Sequence, residues 1–151
     1  MASDDPSAVL QSLLGERTVD IITTGRRSEE SRTTEIWTTP IEGRIYILGT
    51  PNADRDGVER TPRDWLANLI AEPNFTIRLK RGARVDLAAV AERVTDPERR
   101  RYLFGVPSTE YYRDAVSLQA AIRHSPMVVV WFRGEAAWLN DAIGDAAADR
   151  S

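Results

Sequence analysis

Apolar and polar positions alternate through several short stretches of this chain, and a period of two predicts a mainly-β domain. Residues 18–24 read as a first strand, carrying β-branched Thr18, Val19, Ile21 and Ile22. A polar turn over residues 25–31 leads to a second strand, 32–39, with Thr33, Thr34, Ile36, Trp37, Thr38 and Thr39. The Glu42-Gly43 pair turns the chain into a third, 44–48, so these three form an antiparallel meander. In residues 74–80, Phe75, Ile77 and Leu79 alternate with Thr76 and Arg78, and 83–94 continue as a fifth strand. Residues 127–132 form the last one. It is apolar on both faces, so it needs cover from a helix or from a second subunit.

A period near 3.6 replaces the alternation elsewhere. Residues 7–14 predict a short helix capped by Ser7 and stopped by Gly15. The clearest helix start has Thr61 as cap, Pro62 at the first position and Asp64 to complete a capping box. Trp65, Leu66, Leu69 and Ile70 form its apolar face, and Pro73 ends it. Asp96-Pro97-Glu98 opens another helix that Gly105 stops, and residues 108–123 predict a further one. Six short strands with few helices argue for a barrel or sandwich. The expected organisation is a helix over 1–17, a barrel over 18–133 and an Ala- and Asp-rich tail over 134–151, a weak helix or a frayed end. The loop over residues 49–60, rich in Pro, Asn, Asp and Gly, lies inside the domain, where long loops are often functional.

Composition narrows the function. With 42% hydrophobic and 28% charged residues, the 151-residue chain is globular in character. A net charge of −3 argues against general nucleic-acid binding. No apolar run is long enough to span a bilayer, and the N-terminus lacks the pattern of a secretory signal. The absence of cysteine excludes disulfides and thiolate catalysis and fits a cytoplasmic protein. His124 stands alone, which leaves a histidine-ligated metal or a Ser-His triad little support. Lys80 is the sole lysine, so arginine carries nearly all the positive charge.

Residues 23–28, Thr-Thr-Gly-Arg-Arg-Ser, join two strands. Gly25 allows backbone amides to converge on an anion, Ser28 adds a hydroxyl, and Arg26, Arg27 and Arg32 offer forks that match phosphate oxygens. The bland reading is a solvated hairpin loop. Glu29 and Glu30 weigh against an anion unless they point away.

The segment from Thr23 to Ser28, followed by Arg32-Thr33-Thr34, resembles the opening motif of the deazaflavin-dependent nitroreductase (nitroreductase/quinone reductase) family. Further matching stretches follow in order: Glu35-Ile36-Trp37, residues 43–47, Arg63-Asp64-Trp65 with Asn68-Leu69, Pro73, and residues 94–100. The resemblance implies a six-stranded antiparallel split β-barrel with flanking helices, the FMN-binding split-barrel fold. It implies an oxidoreductase that uses coenzyme F420, a deazaflavin, to pass hydride to a small-molecule acceptor: a quinone, nitro compound or activated alkene. FMN, in a pyridoxamine-phosphate-oxidase-like oxidase or reductase, is the alternative coenzyme, and a non-catalytic ligand carrier is the third reading. Carried over, the coenzyme contacts are Thr24, Gly25, Arg26, Arg27, Ser28, Arg32 and Thr33 at the phosphate, with Leu48, Gly49 and Thr50 beside the ring. Trp65 and Asn68 support that wall, Tyr111 and Tyr112 line the substrate pocket, and a homodimer is expected. Family members commonly carry glycine after the serine of the first motif, where this chain has Glu29.

Overall fold

The computed structural model describes residues 5–49, 64–110 and 118–149. Six antiparallel strands close into a split β-barrel: β1 (Thr18–Thr24), β2 (Ser31–Ile41), β3 (Arg44–Leu48), β4 (Asn74–Arg78), β5 (Asp86–Arg93) and β6 (Met127–Phe132). Around the barrel the order is β1-β2-β3-β6-β5-β4. β1 pairs with β2 along its whole length, from Thr18 opposite Trp37 to Thr24 opposite Ser31. β3 takes over only at Thr38, so residues 31–37 of β2 have one strand neighbour among the described residues.

Period-two alternation sorts the core. From β3 and β6, Ile45, Ile47, Val128, Val130 and Phe132 join the main buried cluster with Val19, Ile21, Phe75 and Ile77. Helix α1 (Pro6–Gly15) adds Val9 and Leu13, and α2 (Asp64–Ala71) adds Trp65, Leu66 and Leu69. The intervening residues of the same two strands, Tyr46, Leu48, Met127 and Val129, form a second cluster outside the barrel with Leu103, Phe104 and Ile122. Helices α3 (Pro97–Leu103) and α4 (Leu118–His124) supply that cover, so the doubly apolar last strand is sheathed within one chain. Helix α5 (Trp138–Asp149) resolves the tail: it buries Leu139 and Ile143 in the main cluster.

Several boundaries differ from the sequence reading. Asp5, not Ser7, caps α1: its Oδ2 accepts from the Ala8 amide at 3.2 Å, and Pro6 takes the first turn. β4 ends early and β5 starts late because residues 80–83 are tied to α1. Glu16 Oε1 accepts from the Lys80 and Arg81 amides at 3.0 and 2.9 Å, and Ser12 Oγ from Ala83 at 2.8 Å. β2 runs on to Ile41 through Pro40. The expected helix over 108–123 is described only at its ends, as a 3₁₀ turn at Pro107–Thr109 and as α4.

Arg100 ties this half together. It leaves α3 buried, and its Nε donates to the Ile122 carbonyl at 2.7 Å, Nη1 to Val94 at 2.8 Å and Nη2 to Ser125 at 2.5 Å. Burial, with a smaller push from Arg93, holds its pKa below the ordinary arginine value.

Candidate functional site

The loop between β1 and β2 closes on itself. The Gly25 amide donates to the Glu30 carbonyl at 2.7 Å, and the Glu29 amide to Gly25 at 2.8 Å. Glu30 N–H donates to Ser28 Oγ at 3.2 Å, which leaves the hydroxyl proton of Ser28 for another acceptor. Arg26 N–H donates to Asn68 Oδ1 at 3.1 Å. Four of the loop amides, those of Gly25, Arg26, Glu29 and Glu30, are therefore already paired. Gly25 is required by space: a Cβ there would lie 2.7 Å from Ser28 Oγ, 3.2 Å from the Glu30 carbonyl and 3.5 Å from Arg32 Nε. Ser28 and Arg32 fold over it.

Beside the loop lies a cleft of about 490 Å³. The loop contributes Gly25, Arg26, Arg27 and Ser28; β2 contributes Arg32, Thr33 and Thr34; α2 contributes Trp65 and Asn68. Trp65 is buried in the main core cluster and also edges the cleft, so packing and lining are two faces of one ring. Arg27 and Arg32 are exposed and have no ion-pair partner among the described residues. Lys80, by contrast, is committed to Asp20 at 3.0 Å and to Glu35, and these bonds raise its pKa. The cleft thus offers an anion charged forks, hydroxyls and one indole wall.

The structure brings eight of the expected residues together: Gly25, Arg26, Arg27, Ser28, Arg32, Thr33, Trp65 and Asn68. Thr24 sits half-buried in the ladder opposite Ser31 and does not line the cleft. Leu48 turns into the outer cluster, away from it. Gly49 adjoins the indole: a Cβ on it would lie 3.8 Å from Trp65 Cζ2 and 3.0 Å from Pro126 Cγ. Thr50, Tyr111 and Tyr112 lie outside the described residues. Thr34 was missed, although alternation from Arg32 puts it on the same face of β2.

Glu29 and Glu30 are exposed and do not line the cleft, which answers the electrostatic objection to an anion. Glu29 has φ +61°, the left-handed region that favours glycine. Glu29→Gly is therefore expected to stabilise the fold by roughly 0.5–1 kcal/mol, the left-handed cost less glycine's extra chain entropy. Urea unfolding checks this, and a loss of stability would contradict it.

Several solved proteins share this fold. A FAD-binding protein from Mesorhizobium loti superposes with a TM-score of 0.59 at 10% identity, over 86% of this chain and 91% of that one. A protein of the pyridoxinephosphate oxidase family from Clostridium acetobutylicum, related to a general stress protein of Bacillus subtilis, gives 0.56 at 12%, over 85% and 81%. A protein described as a domain-swapped dimer gives 0.54 at 19%, over 78% and 81%. At such identities the likeness is one of fold. No curated protein matches in sequence. The model of the family F420H(2)-dependent quinone reductase matches residues 7–130.

Proposed function

Because the chain belongs to the F420H(2)-dependent quinone reductase family, we propose that it is an oxidoreductase that binds coenzyme F420 in the cleft between the β1–β2 loop, β2 and α2. The observation that carries this reading is the donor set: Arg26, Arg27, Arg32, Ser28, Thr33 and Thr34 converge on one hollow walled by Trp65. These groups fit a phosphorylated, ring-bearing coenzyme. Guanidinium forks suit phosphate oxygens, and an indole suits a flat ring. When bound, the coenzyme supplies hydride chemistry. The protein's part is grip, orientation and exclusion of water. Arg27 and Arg32, exposed and unpaired by carboxylates among the described residues, take the anionic extension, while Trp65 and Gly49 confine the ring from the core side. The acceptor class is a quinone, nitro compound or activated alkene. Incubation with reduced F420 and a quinone should re-oxidise the coenzyme at a rate that scales with enzyme. Binding of F420 without turnover on any of the three acceptor classes would contradict the catalytic part and favour a carrier.

A homodimer belongs to the same reading, but not for the reason the sequence gives, since α3 and α4 already sheathe β6. The support lies on β2, whose residues 31–37 pair with β1 alone among the described residues and whose Trp37 is 40% exposed. Light scattering at working concentration should give twice the chain mass of 16.9 kDa, and a monomer would contradict this.

A further inference from the structure

We infer that Asn68 is a positioning residue that sets Arg26 for anion binding, acting through the arginine and not by touching the anion itself; this rests on the coenzyme site proposed above. Asn68 stands on α2, 42 residues from Arg26 in sequence, and is 5% exposed. Its Oδ1 accepts from two donors of one residue: the Arg26 backbone amide at 3.1 Å and Arg26 Nη1 at 3.2 Å. Its Nδ2 donates to Thr23 Oγ1 at 3.4 Å, itself 2% exposed on β1. That donation fixes the carboxamide so that the oxygen faces the loop. One side chain therefore holds both ends of Arg26, and the guanidinium is aimed before any ligand arrives. Pre-aimed donors cost less to order on binding.

The chemistry of the group matters as much as its shape. A neutral amide oxygen orients the guanidinium without placing a negative charge beside it. A carboxylate in the same place would orient it equally well and neutralise it. Asn68→Asp keeps the acceptor and adds the charge, whereas Asn68→Ala keeps the charge and drops the acceptor. Both are expected to weaken anion binding about tenfold, for these two different reasons. The Asn68→Asp loss should shrink as pH falls and the carboxylate is protonated, whereas the Asn68→Ala loss should not.

The test is a double-mutant cycle with Arg26→Ala, read by calorimetry on folded protein with two probes, F420 and inorganic pyrophosphate. If Asn68 acts through Arg26, Asn68→Ala costs nothing further once Arg26→Ala is present, whereas the Asn68→Asp carboxylate still repels the anion directly and is read only in the single variant. Losses of Asn68→Ala and Arg26→Ala that multiply in the double variant would overturn the inference, as would unchanged binding by the single variants. Thr23→Val, which removes the hydroxyl that orients the carboxamide, should give a smaller loss with the same dependence on Arg26; it carries the cycle if Asn68→Ala does not fold. Pyrophosphate binding without F420 binding would sink the proposed coenzyme while leaving the cycle to decide this inference. A parent that binds neither probe would overturn both.

Discussion

Arg32→Ala is expected to weaken F420 binding by roughly tenfold to a hundredfold without unfolding the protein. Arg32 is exposed on β2 at the mouth of the cleft, contributes nothing to either core cluster, and packs its Nε over Gly25. Its removal thus takes away a charge-assisted contact and little else. The amides of Gly25, Arg26, Glu29 and Glu30 cannot compensate, because they are already engaged. The contact is solvent-facing, so affinity in the parent should fall as salt rises, and fall less steeply in the variant. Arg101, exposed on α3 outside the cleft, is the control: Arg101→Ala should bind as the parent does. Equal affinities for parent, Arg32→Ala and Arg101→Ala at low salt would place the phosphate elsewhere.

The largest loss of stability is expected at Arg100. Arg100→Met preserves much of the volume but strands the buried carbonyls of Ile122 and Ser125 and the carbonyl of Val94. Replacing a whole buried polar set by apolar groups can be neutral, but here only the donor is removed and the acceptors stay behind. The expected cost is about 3–5 kcal/mol, a large share of an ordinary domain's stability. Arg100→Lys should recover little, since one ammonium cannot reach carbonyls that a fork spans. A lower urea midpoint with an unchanged slope is the predicted signature, and Arg101→Met should stay within about 0.5 kcal/mol of the parent. A midpoint for Arg100→Met equal to that of Arg101→Met would show that the buried fork contributes nothing.

Strands β1, β3 and β6 begin and end where the sequence places them, because turn residues bound each β-favouring run: Gly25 after β1, Gly43 and Gly49 around β3, Pro126 and Gly134 around β6. The same periodicity could not say which way Leu48 points. Ile47 and Leu48 are both apolar and both buried, one inside the barrel and one beneath α3 and α4, so the pattern has no polar phase to read. The loop's arginines were legible from residue type and spacing. Its closed amides were not, since they depend on Glu30 folding back to Gly25 and on Asn68 arriving from a distant helix. Arg100 falls within a stretch that resembles the family, yet its role is invisible there for the same reason: its acceptors lie up to 25 residues away, on segments that meet only in the folded barrel. Glu29 read as an electrostatic defect in sequence and is a conformational one in structure.

Titration of the purified protein with F420, and separately with FMN, followed by calorimetry at micromolar protein, tests the central claim most directly. The account predicts saturable F420 binding, tighter than FMN and weakened by salt. Failure of both coenzymes to bind would contradict it, and tighter FMN binding would transfer the cleft to the flavin.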